Sequence, residues 1–193
     1  QYDSLEALTR GVGGEPVLNQ FACISKTRLD GTVKRRIIMD SKRSGVTGAS
    51  RKQYRAELPR HTDLCTSVLE LQDGMAAAEC IMILILDALE AYWQILLSPA
   101  ERRFFCAKVA GKFLAYNRTA QGSRGAPLCW TIMFGLICRC LLSVLRDPIM
   151  PRSTKMQVYV DDPAVVIRGT PEVCRSQATL AMLVWTCLLY TSP

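Results

Sequence analysis

Apolar and polar positions fall along the chain in blocks that mark out its elements. Gln1–Gln20 is polar and glycine-rich with little periodicity, and reads as a loose leader. Phe21–Ser25 and Val33–Asp40 are short apolar-rich runs on either side of Asp30-Gly31. An Asp-Gly between two such runs signals a hairpin, because glycine accepts the positive φ that tight turns demand. Ser41–Arg55 is polar and turn-rich, and Leu64–Leu71 has the spacing of an amphipathic helix. Ile81–Leu86 is apolar without alternation, which predicts a strand buried on both faces and ending in Asp87. A turn or short helix over Ala88–Leu97 and a β-rich stretch over Phe104–Tyr116 follow. Gln121–Pro127 is a glycine-containing loop leading into the apolar segment 128–145, with Pro127 suited to a first helical turn. Lys155–Val160 and Ala164–Ile167 flank Asp161-Asp162-Pro163, a second hairpin with two carboxylates at its tip. Pro171 to about Thr186 reads as a helix.

Composition narrows the class. With 193 residues, 49% of them hydrophobic, the chain can bury a core, which excludes a disordered tail, and it carries no internal repeat of the solenoid kind. Nine cysteines, odd in number and scattered, fit neither a disulfide framework nor a paired zinc site and point to a reducing, intracellular compartment. Gln1–Glu15 has no apolar core of a signal peptide. Leu128–Leu145 contains Arg139, and an arginine at mid-bilayer costs at least ~2.5 kcal/mol, so a helix packed in a soluble domain, with no membrane partner, is expected.

The net charge of +7 is unevenly spread. Residues 26–60 hold eleven Lys/Arg (26, 28, 34, 35, 36, 42, 43, 51, 52, 55, 60) against Asp30, Asp40 and Glu57, an excess above that of the whole chain. Two accounts stay open on composition: a solvated face, or a surface that neutralises the phosphates of nucleic acid or of a nucleoside triphosphate. His61, beside Pro59 and Arg60, reads as a surface or loop histidine.

Chemistry enters with the acids. Asp87 and the pair Asp161/Asp162 each end a strand, and either alone reads as a turn or cap. Carboxylates converging from two neighbouring strands make a hard oxygen site for two divalent cations, magnesium being the usual one.

At this point the chain resembles the reverse transcriptases of retroelements over roughly residues 20–186. Tyr159-Val160-Asp161-Asp162 is similar to their Y-x-D-D hairpin, and Leu86-Asp87 through Tyr92 to their first acidic motif. Gln121-Gly122 through Pro127 is similar to their Q-G-x-x-x-x-P loop, and Lys34-Arg35-Arg36 with Asp40 to their basic fingers strand. The resemblance implies that Asp87 and Asp161 hold two Mg²⁺ ions (or Mn²⁺), with Asp162 supporting and the Ala88 carbonyl completing a shell. It implies that Arg36, with Lys26, Arg28 or Lys34, clamps the triphosphate, and that Gln121 lines the incoming-nucleotide pocket. Tyr92 would select deoxynucleotides by clashing with a 2′-hydroxyl, and Tyr159, Arg124 and Arg35 would touch nucleic acid.

The fold expected is α/β (α+β): a polymerase palm-type antiparallel sheet, backing helices over 128–145 and 171–186, and a basic fingers hairpin. The expected divisions are a leader over 1–20, fingers over 21–80, palm over 81–186, and a non-native tail over 187–193 that reads like a translated sequencing adapter. The function implied is RNA-directed DNA synthesis on an RNA template with a DNA primer and dNTPs. The chain would be an incomplete piece of a polyprotein whose thumb and RNase H regions are missing, and weak in primer extension by itself. An RNA-dependent RNA polymerase, and an inactive remnant that binds nucleic acid through its basic flap, are the alternatives.

Overall fold

The computed structural model describes residues 1–50, 54, 56–146 and 153–190. Arg51, Lys52 and Arg55 of the basic run, and positions 191–193 of the expected tail, lie outside them. The chain is a mixed α/β protein that divides into two units, Gln1–Arg55 with Glu90–Trp130, and Ala56–Leu89 with Thr131–Pro193.

The first unit is built on a four-stranded mixed sheet of order β2-β1-β4-β5. β1 (Leu18–Thr27) and β2 (Val33–Asp40) pair antiparallel in register from Gln20↔Asp40 to Thr27↔Val33. The expected hairpin is thus present and longer than its apolar runs suggested. Its turn is closed by Arg28 N–H donating to the Thr32 carbonyl (2.8 Å) and by Thr32 N–H donating to the Asp30 carboxylate (2.9 Å). Gly31 supplies the positive φ of 81°. β4 (Cys106–Val109) and β5 (Lys112–Ala115) form the other antiparallel pair, and a two-residue parallel pairing of β1 with β4 joins them. At that junction Asn19 is buried, its amide donating to the carbonyls of Phe104 (2.8 Å) and Cys106 (3.1 Å).

Residues 1–20 are not a loose leader. Leu5–Val12 form helix α1, because Ser4 caps it by accepting the Ala7 N–H and Gly13 ends it in the left-handed conformation. Leu8 and Val12, one turn apart, bury against Cys106 and Phe113. Of the glycines that suggested a loose leader, Gly11 lies within the helix and Gly13 closes it. A second cluster packs Met39, Leu97, Phe105 and Ala120, with Phe21, Trp93 and Tyr116 against it. A single-turn helix α2 (Val46–Ala49) occupies the turn-rich stretch.

The second unit holds an antiparallel sheet of order β3-β7-β6: β3 (Cys80–Ile85), β6 (Thr154–Tyr159) and β7 (Asp162–Gly169). β7 is central and buries Val165, Val166 and Ile167 completely. Helices cover both faces. α3 (His61–Gln72) meets β6 through Gln157 donating to Ser67 (3.0 Å) and a Lys155–Glu70 ion pair, while α5 (Pro171–Tyr190) packs Cys174 against β3. His61 is exposed at the start of α3, as a surface histidine should be.

The expectation that Ile81–Leu86 is buried on both faces fails. β3 is an edge strand, with Ile83 46% and Ile85 71% exposed. An unbroken apolar run marks a central strand only when neighbours flank it on both sides, which one segment cannot reveal.

α4 (Ala126–Leu145) carries one buried stripe at helical spacing, Ala126, Trp130, Phe134, Cys138, Leu141 and Leu145. In α5 the stripe is Cys174, Ala178, Ala181, Trp185 and Leu189. Phe134 and Trp185 meet edge to face, centroids 5.4 Å apart. By length and composition alone, both helices are also long and apolar enough to cross a membrane. α5 runs past residue 186 to Tyr190, so positions 187–190 are helical and Leu189 is buried.

Candidate functional site

Asp87 follows β3 after one buried residue, Leu86; the β6–β7 turn is Val160-Asp161, one position before the expected Asp161-Asp162-Pro163, and Asp162 opens β7. Backbone hydrogen bonds bring the two segments together. Leu86 N–H donates to the Pro163 carbonyl (3.0 Å) and Ala88 N–H to the Asp161 carbonyl (3.2 Å), so the chain on either side of Asp87 is tied to either side of Asp162. The continued ladder explains it: the last β3–β7 pair, Ile85↔Ala164, leads straight into these bonds.

The carboxylates feel one another. The Asp162 pKa is raised, first by partial desolvation of its carboxyl, then by the charges of Asp161 and Asp87 and by a hydrogen bond with the Asp87 side chain. Among the described residues the three acids do not form a ready-made cluster of metal ligands. The helical side of the site is also fixed. The Asp87 carbonyl accepts the Trp185 indole N–H (3.3 Å) and the Tyr190 hydroxyl (3.5 Å), and the same hydroxyl accepts Leu89 N–H (3.3 Å). Sequence reasoning passed over both aromatics. The signal for Trp185 was its place in the 178, 181, 185, 189 stripe.

Two further features lie at this hairpin. Val160 has a φ of 59°, a left-handed conformation that a β-branched residue rarely adopts. At the far end of β7, Arg168 forks onto Glu79 (Nη2–Oε2 2.7 Å) and also donates to the carbonyls of Leu71, Asp73 and Gly74, binding β7 to the end of α3 and the turn before β3. That fork holds the Glu79 carboxyl below the usual range.

The remaining candidates lie in the first unit, apart from Ala88 and Tyr159, which sit beside the acids. Ala88 is buried and Tyr159 is exposed opposite Asp162. On the basic hairpin, Lys26 pairs directly with Lys34, and Arg36 with Ile24. Cross-strand partners share a face and neighbours alternate, so Lys26, Lys34 and Arg36 project from one face and Arg35 from the other, the face of buried Met39. All four are exposed, and among the described residues none has an ion pair.

Tyr92 lies half-buried in a 3₁₀ turn over Ala91–Gln94, its carbonyl accepting the Thr119 hydroxyl. The Gln121 carbonyl accepts Met39 N–H (3.1 Å) and the Gly122 carbonyl accepts the Ser41 hydroxyl (2.9 Å), pinning this loop to the end of β2. Gly122 has a φ of 102°, and a Cβ there would fall 2.5 Å from the Met39 carbonyl oxygen, so only glycine fits. Arg124 is engaged locally, donating to the Thr47 and Ser50 carbonyls.

The sequence matches no protein-family model and no curated protein. Solved structures do resemble the chain. The protease-reverse transcriptase of prototype foamy virus, as the selenomethionine-labelled CSH mutant, superposes with a TM-score of 0.54 at 16% identity over 94% of this chain. The native form of the same viral protein gives 0.50 at 16% identity over 89%. The fold is reverse-transcriptase-like. The chain spans about a fifth of the length of those solved chains, 21% and 20%.

Proposed function

We propose that this chain is the fingers and palm part of an RNA-directed DNA polymerase from a retroelement, with its catalytic carboxylates at Asp87, Asp161 and Asp162. The observation that carries the reading is the pair of backbone bonds bracketing Asp87 against the Asp161-Asp162 doublet, together with the raised Asp162 pKa. Asp87, Asp161 and Asp162 lie within electrostatic reach of one another rather than in a ready-made cluster, and it is the donor chemistry of their oxygens that suits hard divalent cations. Asp87 and Asp161, with Asp162 and the Ala88 carbonyl, would hold two Mg²⁺ or Mn²⁺ ions. When bound, the ions would neutralise charge on the primer hydroxyl and on the departing pyrophosphate.

The protein's own residues do the positioning. The Leu86 and Ala88 N–H groups fix the backbone at Asp87 without using its side chain. Lys26, Lys34 and Arg36 present three cations on one face of a hairpin, with Lys26 and Lys34 directly opposed. Like charges so placed destabilise a strand pair unless an anion lies over them, which suits a triphosphate. Arg35, on the opposite face, would serve nucleic acid instead, with Tyr159. Gln121, clamped through its backbone, would line the nucleotide pocket, and Tyr92 would reject the 2′-hydroxyl. Arg124 would contribute to nucleic-acid contact only if its bonds to Thr47 and Ser50 were exchanged.

Single-nucleotide addition to a DNA primer on an RNA template tests this. The expected result is slow, Mg²⁺-dependent addition of dNTPs in preference to NTPs, lost in Asp161→Asn, with Tyr92→Val admitting NTPs. Preference for NTPs in the unaltered chain would make it an RNA polymerase. Salt-sensitive binding with no addition, unchanged by Asp161→Asn, would leave only a nucleic-acid-binding role.

A further inference from the structure

Two thiols from different elements of the second unit face one another. Cys80 opens β3 and Cys174 lies near the start of α5, 94 residues away in sequence, yet their Sγ atoms are 3.9 Å apart. Cys174 is completely buried, and its thiol is surrounded by the carbonyls of Gly169 (3.6 Å), Ile167 (3.8 Å) and Cys80 (3.8 Å). Cys80 is only half-buried and gives the pair its access to solvent. A disulfide spans about 2.0 Å between sulfurs, so side-chain rotation and a small approach of the two elements would close the gap. The scattered spacing of the cysteines gave no pairing; the fold creates one.

We propose that Cys80 and Cys174 are an oxidation site, forming a cystine that staples β3 to the start of α5 when a low-molecular-weight disulfide such as oxidised glutathione is present. The reaction takes two exchanges. The Cys80 thiolate attacks the disulfide, forming a mixed disulfide and releasing one glutathione thiolate. The Cys174 thiolate then attacks the Cys80 sulfur and releases the second. One cystine is formed and one oxidised glutathione is reduced to two thiols.

The second exchange is the slow one. Burial pushes the Cys174 thiol up to about 11, Cys80 and Glu79 push in the same direction, and Arg175 opposes them. Arg168, the other charged group here, is committed to Glu79. The thiolate fraction of Cys174, and with it the closing rate, therefore grows roughly tenfold per pH unit between 7 and 9. The staple sits at the end of β3 away from Asp87, so this inference stands independently of the proposed polymerase.

The test treats the full, reduced chain with oxidised glutathione at pH 7 and pH 9 and maps its peptides by mass spectrometry without reduction. The expected result is a glutathione adduct on Cys80 that converts to a Cys80–Cys174 cystine, roughly a hundredfold faster at pH 9. In Cys174→Ala the reaction should stop at the adduct. In Cys80→Ala, which leaves the buried thiol in place, Cys174 should stay unmodified. An adduct on Cys80 that persists at pH 9 in the unaltered chain overturns the proposal. So does pairing of Cys80 with a different cysteine, or ready modification of Cys174 in Cys80→Ala.

Discussion

The molecule has two charged hairpins, built alike and held differently. The acidic one, β6–β7, has its outer strand against α3, its inner strand against β3 and α5, and its neighbour Asp87 tied by backbone bonds and by Trp185. The basic one, β1–β2, is anchored at its root by Asn19 and by Met39, while from Ala22 to Ile37 every side chain is exposed. The first gathers like charges in a fixed place, at a cost visible in Asp162. The second spreads its charges over an exposed arm, where water screens all but the directly opposed Lys26 and Lys34. On the proposed function, the braced hairpin would hold ions at a defined point and the exposed one would reach for a flexible polyphosphate.

The contrast is sharpest under matched truncations. Trp185→Ala removes a ring that is 4% exposed and supports Asp87, and should cost roughly 3–5 kcal/mol in urea unfolding. Ile24→Ala, at an exposed position of the basic hairpin, should cost under ~1 kcal/mol. Equal costs would erase the distinction. A second brace is the Arg168 fork. Arg168→Lys keeps the charge but loses most of the geometry that reaches four partners, and should lower the thermal midpoint by roughly 5–10 °C.

The same fork predicts a pH dependence. The folded-state pKa of Glu79 is lowered, so its contribution is present above the unfolded-state value and is lost as pH falls through the folded-state value. Glu79→Gln should therefore be less stable than the unaltered chain at pH 7 and nearly equal to it near pH 2, followed by thermal unfolding.

Smaller effects refine the picture at the hairpin tips. Val160→Gly relieves a left-handed conformation and should stabilise the fold by about 1 kcal/mol. Smallest is Arg35→Gln on the basic arm, at the position proposed to meet nucleic acid. It should leave the thermal midpoint unchanged and reduce the slope of log affinity for nucleic acid against log salt by about 1.

These regions also differ in how far the sequence revealed them. Asp30-Gly31 and Asp161-Asp162-Pro163 announced both hairpins, because turn chemistry is local and each is flanked by apolar runs. The convergence of Asp87 on the doublet was legible only through the resemblance, since a pairing such as Ile85↔Ala164 has no local signature. Helix α1 was missed because Gly11, Gly13 and Gly14 outweighed one Ser4 cap and two buried residues. The exposed edge of β3, the Asn19 anchor and the Arg168 fork all depend on tertiary neighbours, which periodicity along one segment does not encode.

The central claim is that Asp87, Asp161 and Asp162 together bind divalent cations. Titration of the chain with Mn²⁺ at pH 7, followed by its electron paramagnetic resonance, tests it most directly. The account predicts saturable binding of two ions per chain, abolished when Asp87→Asn and Asp161→Asn are combined and untouched by Lys34→Gln. Binding of the same stoichiometry and affinity in the doubly substituted chain would contradict it.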